Sequence, residues 1–174
     1  IVSGLKVPQL ITTARRIRAA SGKMSRTVVV TGGSRGIGRA ICKAFAASGA
    51  HVFFNFYSPE QAGDETAEAI AAAGGIPAGY RVNVADSGEV ADFFKTVLDT
   101  TGRIDVLVNN AGVFLPGEIT KKEDGALEPM IETNLYSAYH LTRALLPLIV
   151  PQKQGHIFNI CSIASIIAYP NGGS

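Results

Sequence analysis

The chain has 174 residues, of which 47% are hydrophobic and 17% charged, and a net charge of +2. That length buries a real core within one domain, and no apolar run is long enough to span a bilayer, so no membrane partner is expected. Basic and aromatic residues are not interleaved as on a nucleic-acid surface. Two cysteines, Cys42 and Cys161, are too few for a disulfide framework and lack zinc-site spacing; no metal is expected, and both read as buried thiols.

Charge is uneven along the chain. Nine Lys or Arg and no acid precede Glu60; the remainder carries seven basic residues against fourteen acids. Ile1 to Lys23 holds five of those nine, with Val7, Leu10, Ile11, Ala14 and Ile17 roughly on one helical face. The segment has the character of an organelle presequence. Met24 stands directly before the first strand and residue 1 is not Met. Residues 1–24 are therefore read as an N-terminal extension, with a presequence as the alternative and a cytoplasmic location expected. Residues 25–174 are read as one domain.

Strand and helix signals alternate from Thr27. The apolar run Thr27 to Val30 leads into Thr31-Gly32-Gly33-Ser34-Arg35-Gly36-Ile37-Gly38 and then a helical stretch through Ala46. His51 to Phe56 reads as a buried strand, and Glu60 to Ala73 as a helix stopped by Gly74-Gly75. Ile76 to Val84 is a third strand. Asp86 opens a helix with Val90, Phe93, Phe94, Val97 and Leu98 on one face, and Gly102 ends it. Ile104 to Val108 is a fourth strand, and Gly155 to Cys161 a fifth. Between them Ile131, Leu135, Ala138, Leu141, Leu145 and Leu148 recur at helical spacing, predicting a long helix from about Met130 to Ile149. This order predicts an α/β fold: a parallel, doubly wound sheet with helices on both faces.

The glycine turn after the first strand carries the chemistry. It lets backbone approach a pyrophosphate, and the following helix offers unpaired N–H groups and a positive dipole end. The spacing T-G-x-x-x-G-x-G differs from G-x-G-x-x-G, but its place between strand and helix makes it specific. Four further motifs follow: Asn83-Val84-Ala85-Asp86, Asn109-Asn110-Ala111-Gly112, Thr133-Asn134-Leu135, and Asn159-Ile160-Cys161-Ser162.

In this order and spacing the five motifs resemble the short-chain dehydrogenase/reductases, within them the 3-oxoacyl-carrier-protein-reductase-like branch, over about Ser25 to Ser174. The resemblance implies that Thr31, Gly32, Ser34, Arg35, Gly36, Ile37 and Gly38 form the pyrophosphate loop. It implies that Asn83 contacts the adenine amino group and Val84 lines the adenine pocket. Asn110, Ala111 and Gly112 would let backbone approach the nicotinamide ribose. Asn134 would kink its helix and hold a proton-relay water, and Ser162 would orient the substrate oxygen, with Ser165 as its rival. Each residue also has a plain reading, as turn glycine, strand-end Asn or surface Asn.

One signature departs from the family. Its Tyr-x-x-x-Lys proton-transfer pair is absent; Tyr169 is followed four residues later by Gly173. The resemblance therefore implies a C-terminally incomplete chain, inactive as it stands: a Rossmann-type sheet in the strand order 3-2-1-4-5, truncated after about the fifth strand. At the end of the second strand, where a carboxylate would bond ribose hydroxyls and favour NAD, stands Phe56, flanked by Asn55 and Tyr57. With Arg35 in the glycine loop, this points to NADP(H), NAD(H) being the lesser alternative. The expected function is hydride transfer between nicotinamide and a small carbonyl or alcohol by a homo-oligomeric gene product. The alternative is a non-catalytic dinucleotide-binding or partner-binding module.

Overall fold

A computed structural model describes residues 25–57 and 59–167. The expected extension over residues 1–24, and Tyr169 with the tail around it, lie outside the described residues. Five parallel strands, β1 (Thr27–Val30), β2 (His51–Phe56), β3 (Ile76–Arg81), β4 (Val106–Asn109) and β5 (His156–Asn159), form one sheet in the order β3-β2-β1-β4-β5. This is the predicted doubly wound order.

Alternation along the strands divides the core between two faces. Val28, Val30, Val52, Phe54, Val106 and Val108 pack with Cys42, Ala46 and Ile70 from α1 (Gly36–Ala47) and α2 (Glu60–Ala72). Val29, Phe53 and Leu107 pack on the other face with Val90, Phe93, Phe94 and Val97 of α3 (Ser87–Thr101). Leu141 and Leu145 of a later helix complete that face. The central strands are buried on both sides, which is why they read as unbroken apolar runs.

Local signals hold at α3. The Asp86 side chain accepts from the backbone N–H groups of Gly88 and Glu89 and caps the helix. Gly102 ends it in the left-handed region, at φ 73°. The third and fifth strands end at Arg81 and Asn159, short of the expected Val84 and Cys161, although Val82 and Ile160 still donate to the carbonyls of Phe56 and Asn109 on the neighbouring strands.

The long helix is broken in two. α4 (Glu128–Ile131) and α5 (Ser137–Ile149) are joined by a π turn over Glu132–Tyr136. Ser137 N–H donates to the Glu132 carbonyl, five residues back, and the Ser137 hydroxyl takes the Thr133 carbonyl. Such an inserted residue marks functional sites more often than plain helix does. At its centre is Asn134.

Cys161 corrects an expectation: it is exposed, whereas Cys42 is buried. Burial pushes the Cys42 thiol up to about 12. Cys161 follows β5, an edge strand whose His156, Phe158 and Asn159 are exposed, so nothing described covers it.

Candidate active site

A cleft of about 630 Å³ opens beyond the carboxyl ends of β1, β2, β3 and β4. That is where ligands bind in open parallel sheets. Every predicted cofactor residue except Thr31 lines it: Gly32, Ser34, Arg35, Gly36, Ile37 and Gly38 after β1, Phe56 on β2, Asn83 and Val84 after β3, and Asn110, Ala111 and Gly112 after β4. Thr31 is buried beneath. Its hydroxyl accepts from Asn110 N–H and Ala111 N–H, at 2.9 Å each.

The glycine loop is fastened from three sides. Asn110 Nδ2 donates to the carbonyls of Thr31 (2.9 Å) and Gly32 (3.2 Å). Asn55 Oδ1 accepts Gly32 N–H at 3.0 Å, while its Nδ2 donates to the Val82 carbonyl at 2.8 Å. The Ser34 carbonyl is taken by Arg39 Nη2 (2.6 Å), Arg39 Nε (3.0 Å) and the Thr66 hydroxyl (3.0 Å). The Arg35 side chain does not cap α1, and the first turn holds no acid. An anion placed there meets N–H donors and a positive helix end.

The glycines divide their work. A Cβ on Gly38 would lie 2.2 Å from the Gly32 carbonyl oxygen and 2.6 Å from Asn110 Nδ2, so this glycine lets α1 close onto the loop. Gly36, at φ 52°, has nothing within 4 Å of the same position. Its open side is where a pyrophosphate has room. The cradle thus has the room and the donors for a dinucleotide, with the open glycine and helix N-terminus at Gly32 to Gly38 and a second arm of the cleft running toward Phe56, Asn83 and Val84.

The end of the cleft beyond β2 and β3 shows detail the sequence did not. Phe56 is 8% exposed, and its ring fills the space at Gly63, where a Cβ would come within 2.5 Å of it. Tyr57, 61% exposed, stands at the rim instead. Asn83 Oδ1 accepts from Ala85 N–H (3.1 Å) in a local turn, and Asn83 N–H donates to Glu89 (2.7 Å). The amide keeps one lone pair and its NH₂ for a further partner. Among the described lining residues the carboxylate is Glu132, in the π turn.

Neither Asn134 nor Ser162 lines this cleft. Asn134 lines an adjoining groove of about 850 Å³ with Thr142, Asn159 and Cys161. Its Oδ1 accepts from Val113 N–H and its Nδ2 donates to the Val113 carbonyl, both at 2.8 Å. The π turn thereby aims Asn134 at the strand-end loop and fixes Gly112-Val113. Ser162 is exposed and caps the 3-10 turn Ile163–Ser165, its hydroxyl accepting from Ala164 N–H at 3.2 Å. β5 is set in place by Asn109, whose Nδ2 donates to Asn159 Oδ1 at 2.8 Å. Arg39 and Thr66 are site-forming residues that the sequence reading missed, and it named Asn55 and Asn109 without giving them a role. The one signal for Asn55 was an amide within an otherwise apolar strand. Among the described residues no group of three His, Cys, Asp or Glu is arranged to hold a metal, and no helix is long and apolar enough to cross a membrane.

Fold and cleft together define a dinucleotide-binding α/β domain. The chain belongs to the short-chain dehydrogenase/reductase family, whose short chain dehydrogenase model matches residues 26–174. It is 38% identical over 146 residues to a 3-oxoacyl-[acyl-carrier-protein] reductase of Synechocystis sp., covering 84% of this chain and 59% of that protein. It is 32% identical over 148 residues to 3-oxoacyl-[acyl-carrier-protein] reductase FabG of Staphylococcus aureus, covering 85% and 60%. The chain therefore spans about three fifths of the length of these relatives. Among solved structures, a metagenomic short-chain oxidoreductase in complex with NADP aligns with a TM-score of 0.79 at 36% identity, covering 86% of this chain and 67% of that one. A short chain dehydrogenase/reductase of Burkholderia phymatum in complex with NAD aligns at 0.81 and 27% identity, covering 86% and 53%.

Proposed function

We propose that the gene product is an oxidoreductase that transfers hydride between NADP(H) and a small carbonyl or alcohol substrate. The observation that carries this is the cleft itself: an uncapped helix N-terminus beneath an open glycine, with Arg35 on one side and no carboxylate at the end of β2. The aligned structures hold NADP in one case and NAD in another, so the choice here rests on Phe56 and Arg35.

When bound, the nicotinamide supplies or accepts the hydride. Thr31, Gly32, Ser34, Arg35, Gly36, Ile37 and Gly38 would hold the phosphates, and Asn83 and Val84 the adenine. Asn110, Ala111 and Gly112, steadied by Asn134, would form the floor near the nicotinamide ribose. The Ser162 hydroxyl would orient the substrate oxygen. We place the protein in the cytoplasm and expect its complete form to be a homo-oligomer.

A second reading has its own observation. No Tyr-x-x-x-Lys occurs within the 174 residues, so these residues alone fit a dinucleotide-binding module without catalysis. General acid–base assistance contributes about 10²–10⁴-fold, and the 174-residue chain is expected to show no carbonyl-dependent NADPH oxidation. The test is NADPH binding by calorimetry on the gene's complete product, and carbonyl reduction by both that product and this chain. Binding and turnover by the complete product, with no turnover by this chain, support the enzyme. Binding without turnover by either supports the module, and turnover by the 174-residue chain refutes the assigned need for the missing pair.

A further inference from the structure

We propose that Arg81, held in place by Tyr57, is a second cation for the 2′-phosphate of the cofactor and a determinant of NADP(H) over NAD(H). The proposal rests on the dinucleotide reading of the cleft. Arg81 ends β3 in register with Phe56 at the end of β2. Paired residues of parallel strands share a face, so Arg81 stands on the side of the sheet that carries α1, α2 and the Phe56 ring.

Two contacts restrain its side chain. The guanidinium carbon lies 5.6 Å from the Tyr57 ring centroid, and Nε donates to the Tyr57 carbonyl at 3.1 Å. A cation over a tyrosine face is attracted by the ring, and stacking suits arginine better than lysine. With Nε spent, the two terminal NH₂ groups remain, and this fork matches two oxygens of a phosphate. None of the ion pairs among the described residues uses Arg81.

Its position gives the fork a purpose. Tyr57 is part of the cleft wall, next to Phe56, where a ribose-binding carboxylate would otherwise stand. β2 lies between β3 and β1, so Arg81 comes from one side of that end and Arg35, on the loop after β1, from the other. An adenosine ribose between them meets two guanidinium groups and no acid from β2. A 2′-phosphate gains from this arrangement, while a bare 2′-hydroxyl gains little.

The test measures Kd for NADPH, NADH and 2′,5′-ADP on the gene's complete product by calorimetry, with circular dichroism to check folding. Arg81→Met is expected to weaken NADPH and 2′,5′-ADP on the order of tenfold, as loss of a charged hydrogen-bonding fork does, and NADH less than about twofold. Arg81→Lys, which keeps the charge and loses the fork, should fall between, and it serves as the readout if Arg81→Met fails to fold. Tyr57→Leu, which frees the arginine, should cost NADPH more than NADH. Equal losses for both cofactors, or no loss for either, would make Arg81 a surface-packing residue and overturn the assignment. A wild type that prefers NADH would overturn it too, while leaving the dinucleotide cleft standing. A wild type that binds none of the three ligands would overturn the cleft reading and this inference with it.

Discussion

Replacing Asn55 with leucine tests how the glycine loop is held. Leucine has asparagine's branching and the same number of side-chain heavy atoms, so the change removes hydrogen bonds without opening a void. It leaves Gly32 N–H and the Val82 carbonyl without the partners they have at 3.0 and 2.8 Å. The first group is partly exposed and water can replace its partner, at a cost of about 1 kcal/mol. The Val82 carbonyl lies in a buried bond, and stranding it costs up to about 3 kcal/mol. The sum is about 2–4 kcal/mol, a large part of the roughly 5–15 kcal/mol that stabilises a domain. At about 2–4 °C per kcal/mol for a chain of this size, Tm should fall by roughly 4–16 °C. Urea unfolding of the gene's complete product, as wild type and as Asn55→Leu, measures the loss, and NADPH titration should show weaker binding, because Gly32 is no longer pinned. A variant within about 0.5 kcal/mol of wild type would show that Asn55 does not fasten the loop.

The Cys42 thiol gives a pH signature. Its native value is pushed up to about 12 by burial, against an ordinary 9.0, so between those values the unfolded chain binds fewer protons than the native one. Stability should therefore fall as pH rises above 9, with a slope approaching about 1.4 kcal/mol per pH unit, and Cys42→Val should remove much of the fall; an unchanged slope would refute it. In a thiol titration of the native protein Cys161 should react promptly and Cys42 only on unfolding. Phe56→Asp should narrow or reverse the preference for NADPH over NADH in kcat/KM, and should also cost stability, because the ring it removes fills the space against Gly63; an unchanged preference would acquit Phe56 as selector. The isolated 174-residue chain should aggregate or melt without cooperativity. Its β5 is an edge strand, with Phe158, Ile160, Ile163, Ile166 and Ile167 exposed, and such edges pair with other chains. A monomer with a sharp melt on size-exclusion and thermal analysis would refute that.

Features set by neighbours within a few residues could be read from the sequence. Asp86 and Gly102 bracket α3 because a cap and a left-handed stop are local geometry. The glycine turn between strand and helix placed the cleft, and apolar strand runs alternating with helical stretches marked a parallel, doubly wound sheet. A break in the helix at Asn134 was expected from the resemblance, and the structure has a π turn there that aims Asn134 at Val113. What only the tertiary structure decided depends on residues far apart in the chain. Asn55 joins two turns that lie 23 residues before it and 27 after it. Asn109 meets Asn159 across 50 residues. Arg81 reaches Tyr57 only because β2 and β3 pair in that register. The roles of Gly36 and Gly38 separate only when α1 is packed on its loop, and Cys161 is exposed because the surface over β5 is bare among the described residues. Local pattern records backbone preference and the face a residue takes; partners brought together by chain folding leave no such periodic trace, because either one alone looks like an ordinary polar residue in a strand or turn.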